Sequence, residues 1–221
     1  MKRYLSLLAF LLLMSSSLLS AQEVEKQVKF ETNKGSFTVK LYNETPLHRD
    51  NFLKLVEAGA YNNLTFHRVI ANFMIQAGGV IKGNNTKAYE ALEEKYSELI
   101  PAEIQYPKLF HKKGALAAAR TSNEVNPEKK SDPIQFFIVV GQCYLENEMG
   151  DFKLPEGVSM TEEIKHAYMT EGGTPHLDCE YTVFGELVDG WKTIYKIQKV
   201  ETDTSDKPLK DVYIKSAKIL N

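Results

Sequence analysis

Residues 28–42, VKFETNKGSFTVKLY, alternate apolar and polar side chains on both sides of an Asn-Lys-Gly break. That is the signature of two paired strands joined by a tight turn. One hairpin cannot hide its apolar face alone, and the chain supplies further strands to cover it. Residues 64–69 and 73–77, GALAAAR (114–120), IQFFIVV (134–140), YTVFGELV (181–188) and DVYIKSAKIL (211–220) are short apolar runs with strand character. Helical spacing is rarer. In TPLHRDNFLKLVEAGAY, Thr45 is placed to cap, Pro46 stands at the first helical position, and Phe52, Leu55 and Val56 share a face that Gly59 ends. Tyr89, Leu92, Tyr96 and Leu99 form a second helical stripe over 87–99, stopped by Pro101. Ser159-Met-Thr-Glu162 reads as a capping box opening a short helix with Ile164 and Tyr168, and Ile194 and Ile197 mark one more. Many strands with few helices predict a mostly β fold, a closed barrel or a sandwich.

The chain opens MKRYLSLLAFLLLMSSSLLSAQE, with Lys2 and Arg3 before an apolar run that ends in Ser20 and Ala21. This predicts a signal peptide over 1–21, cut between Ala21 and Gln22, and an exported protein, periplasmic or secreted. Residues 22–221 then form one domain with a sizeable core. Without Lys2 and Arg3, 25 of the 27 basic residues face 29 acidic ones, a net charge of −4 with no long basic stripe, which argues against nucleic acid. No other stretch is long and apolar enough to cross a bilayer. Cys143 and Cys179 would meet an oxidising compartment, as a pair or as two buried thiols.

FHRVIANFMIQAGG, residues 66–79, is core strand material that carries Arg68 and Gln76. A buried guanidinium is costly unless paired, so these two are either satisfied structural groups or face a pocket. His67, in the opposite phase to Arg68, reads as structural. No GxSxG, HExxH, Walker or GxGxxG motif occurs. The histidines at 48, 67, 111, 166 and 176 lack metal-ligand spacing. Neither a metal nor a cofactor is expected. Asn43-Glu-Thr45, Asn63-Leu-Thr65 and Asn84-Asn-Thr86 match glycan acceptors, relevant only in a eukaryotic secretory route.

The run Phe-His-Arg-Val-Ile, two residues, Phe-Met-Ile-Gln resembles the signature of the cyclophilin-type peptidyl-prolyl isomerases. TPLHRDNFLKLV, GALAAAR with SDPIQFFI, and HLDCEYTVFGELVDG are similar to three further blocks of that family, in its order, so the resemblance spans most of 28–220. It implies a closed eight-stranded antiparallel β-barrel capped by two helices, here with extra helical insertions. It also implies cis–trans rotation of X–Pro bonds in peptides and in unfolded or secreted client proteins. Catalysis would rest on Arg68 as the arginine that meets the prolyl nitrogen, Phe73 as the floor of a proline pocket, and Gln76 as a polar contact to the substrate backbone. Met74, Phe137 and Leu177 fall on pocket walls, Ala119 and Arg120 on the strand that pairs with peptide, and Tyr181 at the rim. His176 stands where many eukaryotic members place a tryptophan. A binding module with little turnover is the alternative, and a monomer is the default for this fold.

Two departures stand out. Residues 144–175 form an insertion where compact members have a few residues, either a flap beside the pocket or inert surface decoration. Cys143 and Cys179 flank it, with Cys179 at a glycine position, and a disulfide there would staple the flap's base.

Overall fold

The computed structural model describes residues 24–83 and 85–220; the expected signal peptide lies outside them. Eight strands make one antiparallel sheet: β1 (Gln27–Thr32), β2 (Gly35–Leu41), β3 (Leu64–Ile70), β4 (Met74–Ile81), β5 (Ala115–Ala118), β6 (Phe136–Val139), β7 (Val183–Asp189) and β8 (Ile214–Leu220). Their order across the sheet is β3-β4-β6-β5-β7-β2-β1-β8. Helices α1 (Pro46–Glu57), α2 (Thr86–Lys95), α3 (Glu162–Thr170) and α4 (Trp191–Gln198) lie between them.

The predicted hairpin is β1–β2, with Thr32 opposite Gly35 and Val28 opposite Val39. Its inward side chains, Val28, Phe30, Phe37 and Val39, enter a core shared with Phe66, Ile75, Phe136, Ile138, Leu116 and Phe184. Phe30 stacks on Phe37 at 4.9 Å, and Phe52 of α1 meets Phe136 edge-on at 5.4 Å. Helix α1 adds Leu55 and Val56 to this core, and α4 adds Ile194 and Ile197.

The sheet curls into a half-barrel, which corrects the expected closed barrel. No ladder joins the edge strands β3 and β8: the isolated bridge Thr65–Tyr213 lies just before β8, flanked by bonds from Asn63 N–H to Ile214 O and from Phe66 N–H to Val212 O, both 2.8 Å. The reason lies in the edges themselves. Strand β3 slips register twice against β4, and β8 slips once against β1 at Glu31/Thr32. Such irregularities bend and twist a strand, so a continuous ladder between the two edges cannot form.

Local predictions shift in detail. Thr45 precedes α1 but makes no side-chain cap; the Glu103 carboxylate takes that place, accepting from Leu47 N–H at 3.1 Å and His48 N–H at 2.9 Å. Thr161, not Ser159, caps α3 by accepting from Ile164 N–H. Helix α2 is shorter than the predicted 87–99 and buries none of its residues.

Candidate active site

Alternation, shifted by irregularities between Phe66 and Arg68 and between Leu116 and Ala117, gives the sheet a second apolar face. Residues paired across an antiparallel ladder share a face, and Arg68 pairs with Gln76, Gln76 with Phe137, Phe137 with Ala117, and Ala117 with Val183. This row crosses five strands on the side opposite the main core. Met74, Phe137, Val139, Ala115, Ala117 and Val183 form a separate buried cluster there, onto which Phe73, Leu177 and Tyr181 pack.

A hollow of about 100 Å³ remains in this face. A cavity needs about 10–15 Å³ to hold one water, so this one has room for several. Arg68, Phe73, Met74, Gln76, Ala119, Arg120, Phe137, Leu177 and Tyr181 line it, so nine of the ten residues singled out from sequence converge. The tenth, His176, is exposed and stands outside the wall, its ring stacked on Phe73 at 5.3 Å. That packing, and then the nearby His111, lower its pKa from the usual 6.5.

Backbone geometry seats each group. Asn72, at φ 58°, turns the β3–β4 hairpin and donates its N–H to Gln198 Oε1 at 3.0 Å. Phe73 O then accepts from Val140 and Gly141 N–H at 2.9 and 3.0 Å, which pins the ring's root. The Arg68 side chain is 46% exposed, and its Nε lies 3.4 Å from Asp206 Oδ2. No other partner is recorded for it among the described residues, so its terminal nitrogens remain available. The guanidinium is therefore neither buried nor neutralised inside the barrel.

Gln76 is aimed by a relay that sequence reading missed. The Asp132 carboxylate can only accept hydrogen bonds, so Gln135 must turn its amide nitrogen toward it. Gln135 Nε2 donates to Asp132 Oδ2 at 3.0 Å, which leaves Gln135 Oε1 to accept from Gln76 Nε2, also at 3.0 Å. Asp132 Oδ1 meanwhile accepts from Ile134 and Gln135 N–H at 2.8 Å, an Asx turn. The signal was present: Gln135 lies two residues before Phe137 and shares its face.

Arg120 lines the hollow as a strut. Its side chain, 3% exposed, donates to Glu180 O, Thr121 O and Glu180 Oε2 at 2.7–2.8 Å, and its guanidinium lies 4.7 Å over the Tyr181 ring. Ala119 uses its N–H on Gln135 O and its C=O on Asp132 N–H. Behind Phe137 lies the buried His111 ring, at 6.1 Å and nearly parallel. His111 Nδ1 and Tyr168 Oη both meet Asp178, at 3.0 and 2.7 Å. His67, read as structural, accepts Gly79 N–H at Nδ1 over 3.2 Å.

Of the two states left open for them, Cys143 and Cys179 are not paired: both are free. Cys143 is exposed and faces Thr170 O, while Cys179 sits in a left-handed turn at φ 63°. Backbone bonds fasten the base of the insertion instead, from Gly173 N–H to Gln142 O at 3.0 Å and from Lys113 N–H to Gly172 O at 2.9 Å. Among the described residues no cluster suited to a metal occurs, and no helix is long and apolar enough to cross a membrane.

The family model described as cyclophilin type peptidyl-prolyl cis-trans isomerase/CLD matches residues 27–219. A Staphylococcus aureus protein, named as a candidate peptidyl-prolyl cis-trans isomerase, is 36% identical over 196 residues, covering 88% of this chain and 92% of its own length. A Streptococcus pyogenes protein, named as a candidate bifunctional phosphatase/peptidyl-prolyl cis-trans isomerase, is 34% identical over 205 residues; these make up 88% of this chain but only 39% of that one. Two crystal structures of a Cryptosporidium parvum cyclophilin-type isomerase share the fold. One has a TM-score of 0.61 at 24% identity, covering 89% of this chain and 98% of that one. The other, determined in the presence of the dipeptide Ala-Pro, has a TM-score of 0.60 at 25% identity, covering 88% and 99%. This chain belongs to the cyclophilin-type peptidyl-prolyl cis-trans isomerase family.

Proposed function

We propose that the hollow seats a proline ring and that Arg68 promotes rotation of the X–Pro bond by donating to the prolyl nitrogen. The observation that carries this is Arg68 standing opposite Gln76 on paired strands at the edge of a hollow walled by Phe73, Met74 and Phe137. An amide resists rotation by about 18–20 kcal/mol because its nitrogen lone pair is conjugated with the carbonyl. The twisted state regains that lone pair, and a donor that meets it there stabilises the transition state alone. One charge-assisted bond contributes roughly 1.5–3 kcal/mol, or about ten- to a hundredfold in rate. The rest comes from an apolar grip on the ring and from Gln76 guiding the swinging carbonyl.

Asp206 orients Arg68 from its Nε side and leaves the terminal nitrogens for substrate. A peptide laid along the segment that follows β5 must bond to the backbone of Arg120, since Ala119 has its N–H and C=O already engaged. The Ala-Pro dipeptide of the related crystal supports a proline-containing ligand. Clients are unfolded or exported chains with slow X–Pro steps, and the N-terminal sequence supports export to a periplasm or the exterior. In a protease-coupled assay with a proline tetrapeptide, Arg68→Ala should lose about ten- to a hundredfold in kcat/KM with an unchanged circular dichroism spectrum. Equal rates above background would take Arg68 out of catalysis, and background rates in both would leave a groove that binds without turnover.

A further inference from the structure

A second hollow, of about 960 Å³, opens beside α4, roughly ten times the volume found at Arg68. Lys34, Lys192, Lys196, Lys199 and Lys210 line it, with Glu201 as its one carboxylate. None of these lysines forms an ion pair among the described residues. Four net positive charges therefore gather in a chain whose overall formal charge is −2. A helix C-terminus favours cations, which accounts for Lys196 and Lys199. It does not account for Lys34, from the β1–β2 turn, or Lys210, from the loop before β8. Lys192 and Lys196 stand four apart on α4, a like-charge spacing that weakens a helix. Between the ammonium groups lie exposed apolar side chains, Leu209 at 63% and Tyr195 at 38%.

The hollow is tied to the proline site by one hairpin-like loop. Leu209 N–H donates to Glu201 O at 2.9 Å, Thr202 bridges to Pro208, and Asp203 N–H donates to Lys207 O at 2.8 Å. Its base, Glu201 and Leu209, walls the hollow, and its tip carries Asp206, the partner of Arg68. From Glu201 to Asp206 the chain spans at most about 18 Å.

We propose that this hollow is a second binding site, for acidic segments of polypeptide that carry an aliphatic or aromatic side chain. Carboxylates satisfy the unpaired lysines, and the apolar side chain covers Leu209 and Tyr195. A client held there presents a nearby proline to Arg68 at raised effective concentration; this last step rests on the proposed isomerase reading, the binding itself does not.

Trp191, the one tryptophan in the sequence, contacts Tyr195 at 5.6 Å and so reads occupancy by its fluorescence. The probe is a proline-free peptide of glutamates around one leucine and one phenylalanine. It should give a saturable, salt-sensitive signal. That signal should weaken about tenfold in Lys192→Glu/Lys196→Glu and persist in Arg68→Ala. Lys34→Glu/Lys210→Glu, on other elements, should weaken it likewise, which keeps the test decisive if the helix variant unfolds. Both lysine variants should keep wild-type kcat/KM on a proline tetrapeptide. A peptide that joins the acidic segment to a downstream proline should be turned over several-fold faster by wild type than by either variant. Equal peptide affinity in wild type and lysine variants overturns the proposal, as does loss of binding in Arg68→Ala. A response to anionic phosphatidylglycerol vesicles but not to the peptide also overturns it, in favour of a membrane surface. Proline turnover missing in wild type, with acidic-peptide binding intact, would sink the isomerase reading and leave this site standing.

Discussion

Gln76 shows how much of a site rests on residues behind it. Its amide is held by Gln135, which is oriented in turn by Asp132, so the carboxamide that faces the hollow owes its direction to a carboxylate two bonds away. Gln135→Ala removes the acceptor that aims Gln76 and leaves Asp132 Oδ2 without its side-chain donor. A typical net hydrogen bond is worth about 0.5–1.5 kcal/mol, so kcat/KM should fall about two- to tenfold, mainly through kcat. Steady-state kinetics with a proline tetrapeptide reads this, and an unchanged kcat would show that Gln76 needs no support. Arg120 carries the same lesson with the opposite sign. Sequence similarity places it on the strand that pairs with peptide through its backbone, and its guanidinium is engaged by Glu180 and Tyr181. Its side chain builds the wall and only its backbone is left for substrate.

At the scale of elements, the insertion is an ordered lobe with its own small core. Met149, Ile164 and Tyr168 pack together and against Tyr106, Phe110 and Phe152. Tyr168 couples that lobe to the site, since its hydroxyl donates to Asp178, which also holds His111 beneath Phe137. Burial, and then the Asp178 charge, push the Tyr168 hydroxyl well above the usual 10, so it stays a donor. Tyr168→Phe leaves a buried carboxylate oxygen short of its bond, at a cost of about 1–3 kcal/mol. For a chain of this size Tm should drop by about 3–10 °C, measured by calorimetry; an unchanged Tm would mean that the lobe is not fastened through this bond.

For the whole molecule, acid stability follows from histidines that fold neutral. Burial lowers the pKa of His67 from the usual 6.5, against weaker upward pulls from Thr65 and Asp132. Its Nδ1 accepts Gly79 N–H, a bond that a protonated ring cannot make. Burial lowers His48 as well, opposed by Glu103. Above pH 6.5 these groups are neutral in both the folded and unfolded chain. Below it the unfolded chain gains protons first, and stability falls until the folded pKa is passed. The Glu186 carboxylate behaves as a second stage. Burial raises its pKa, but Lys112 and Lys40 outweigh that and hold it below the usual 4.5, so its contribution is lost only as the pH falls below 4.5. Tm should therefore decline from pH 6.5 downward and more steeply below 4.5; a Tm level from pH 8 to 5 would contradict the first stage.

Strand alternation is local, repeating every two residues, so the sequence alone could assign Ile75, Phe136 and Ile138 to one face and Met74, Gln76 and Phe137 to the other. Four ordered blocks likewise identified nine residues that line one hollow. What local pattern could not determine was which distant segments meet. Asp206 beside Arg68, Glu103 in place of Thr45 at the start of α1, Asp178 beneath the site, and the unpaired Cys143 and Cys179 all depend on where loops return. The open edge between β3 and β8 depends on the summed twist and register slips of eight strands. Such contacts join residues far apart in the chain, and only the assembled sheet sets those distances.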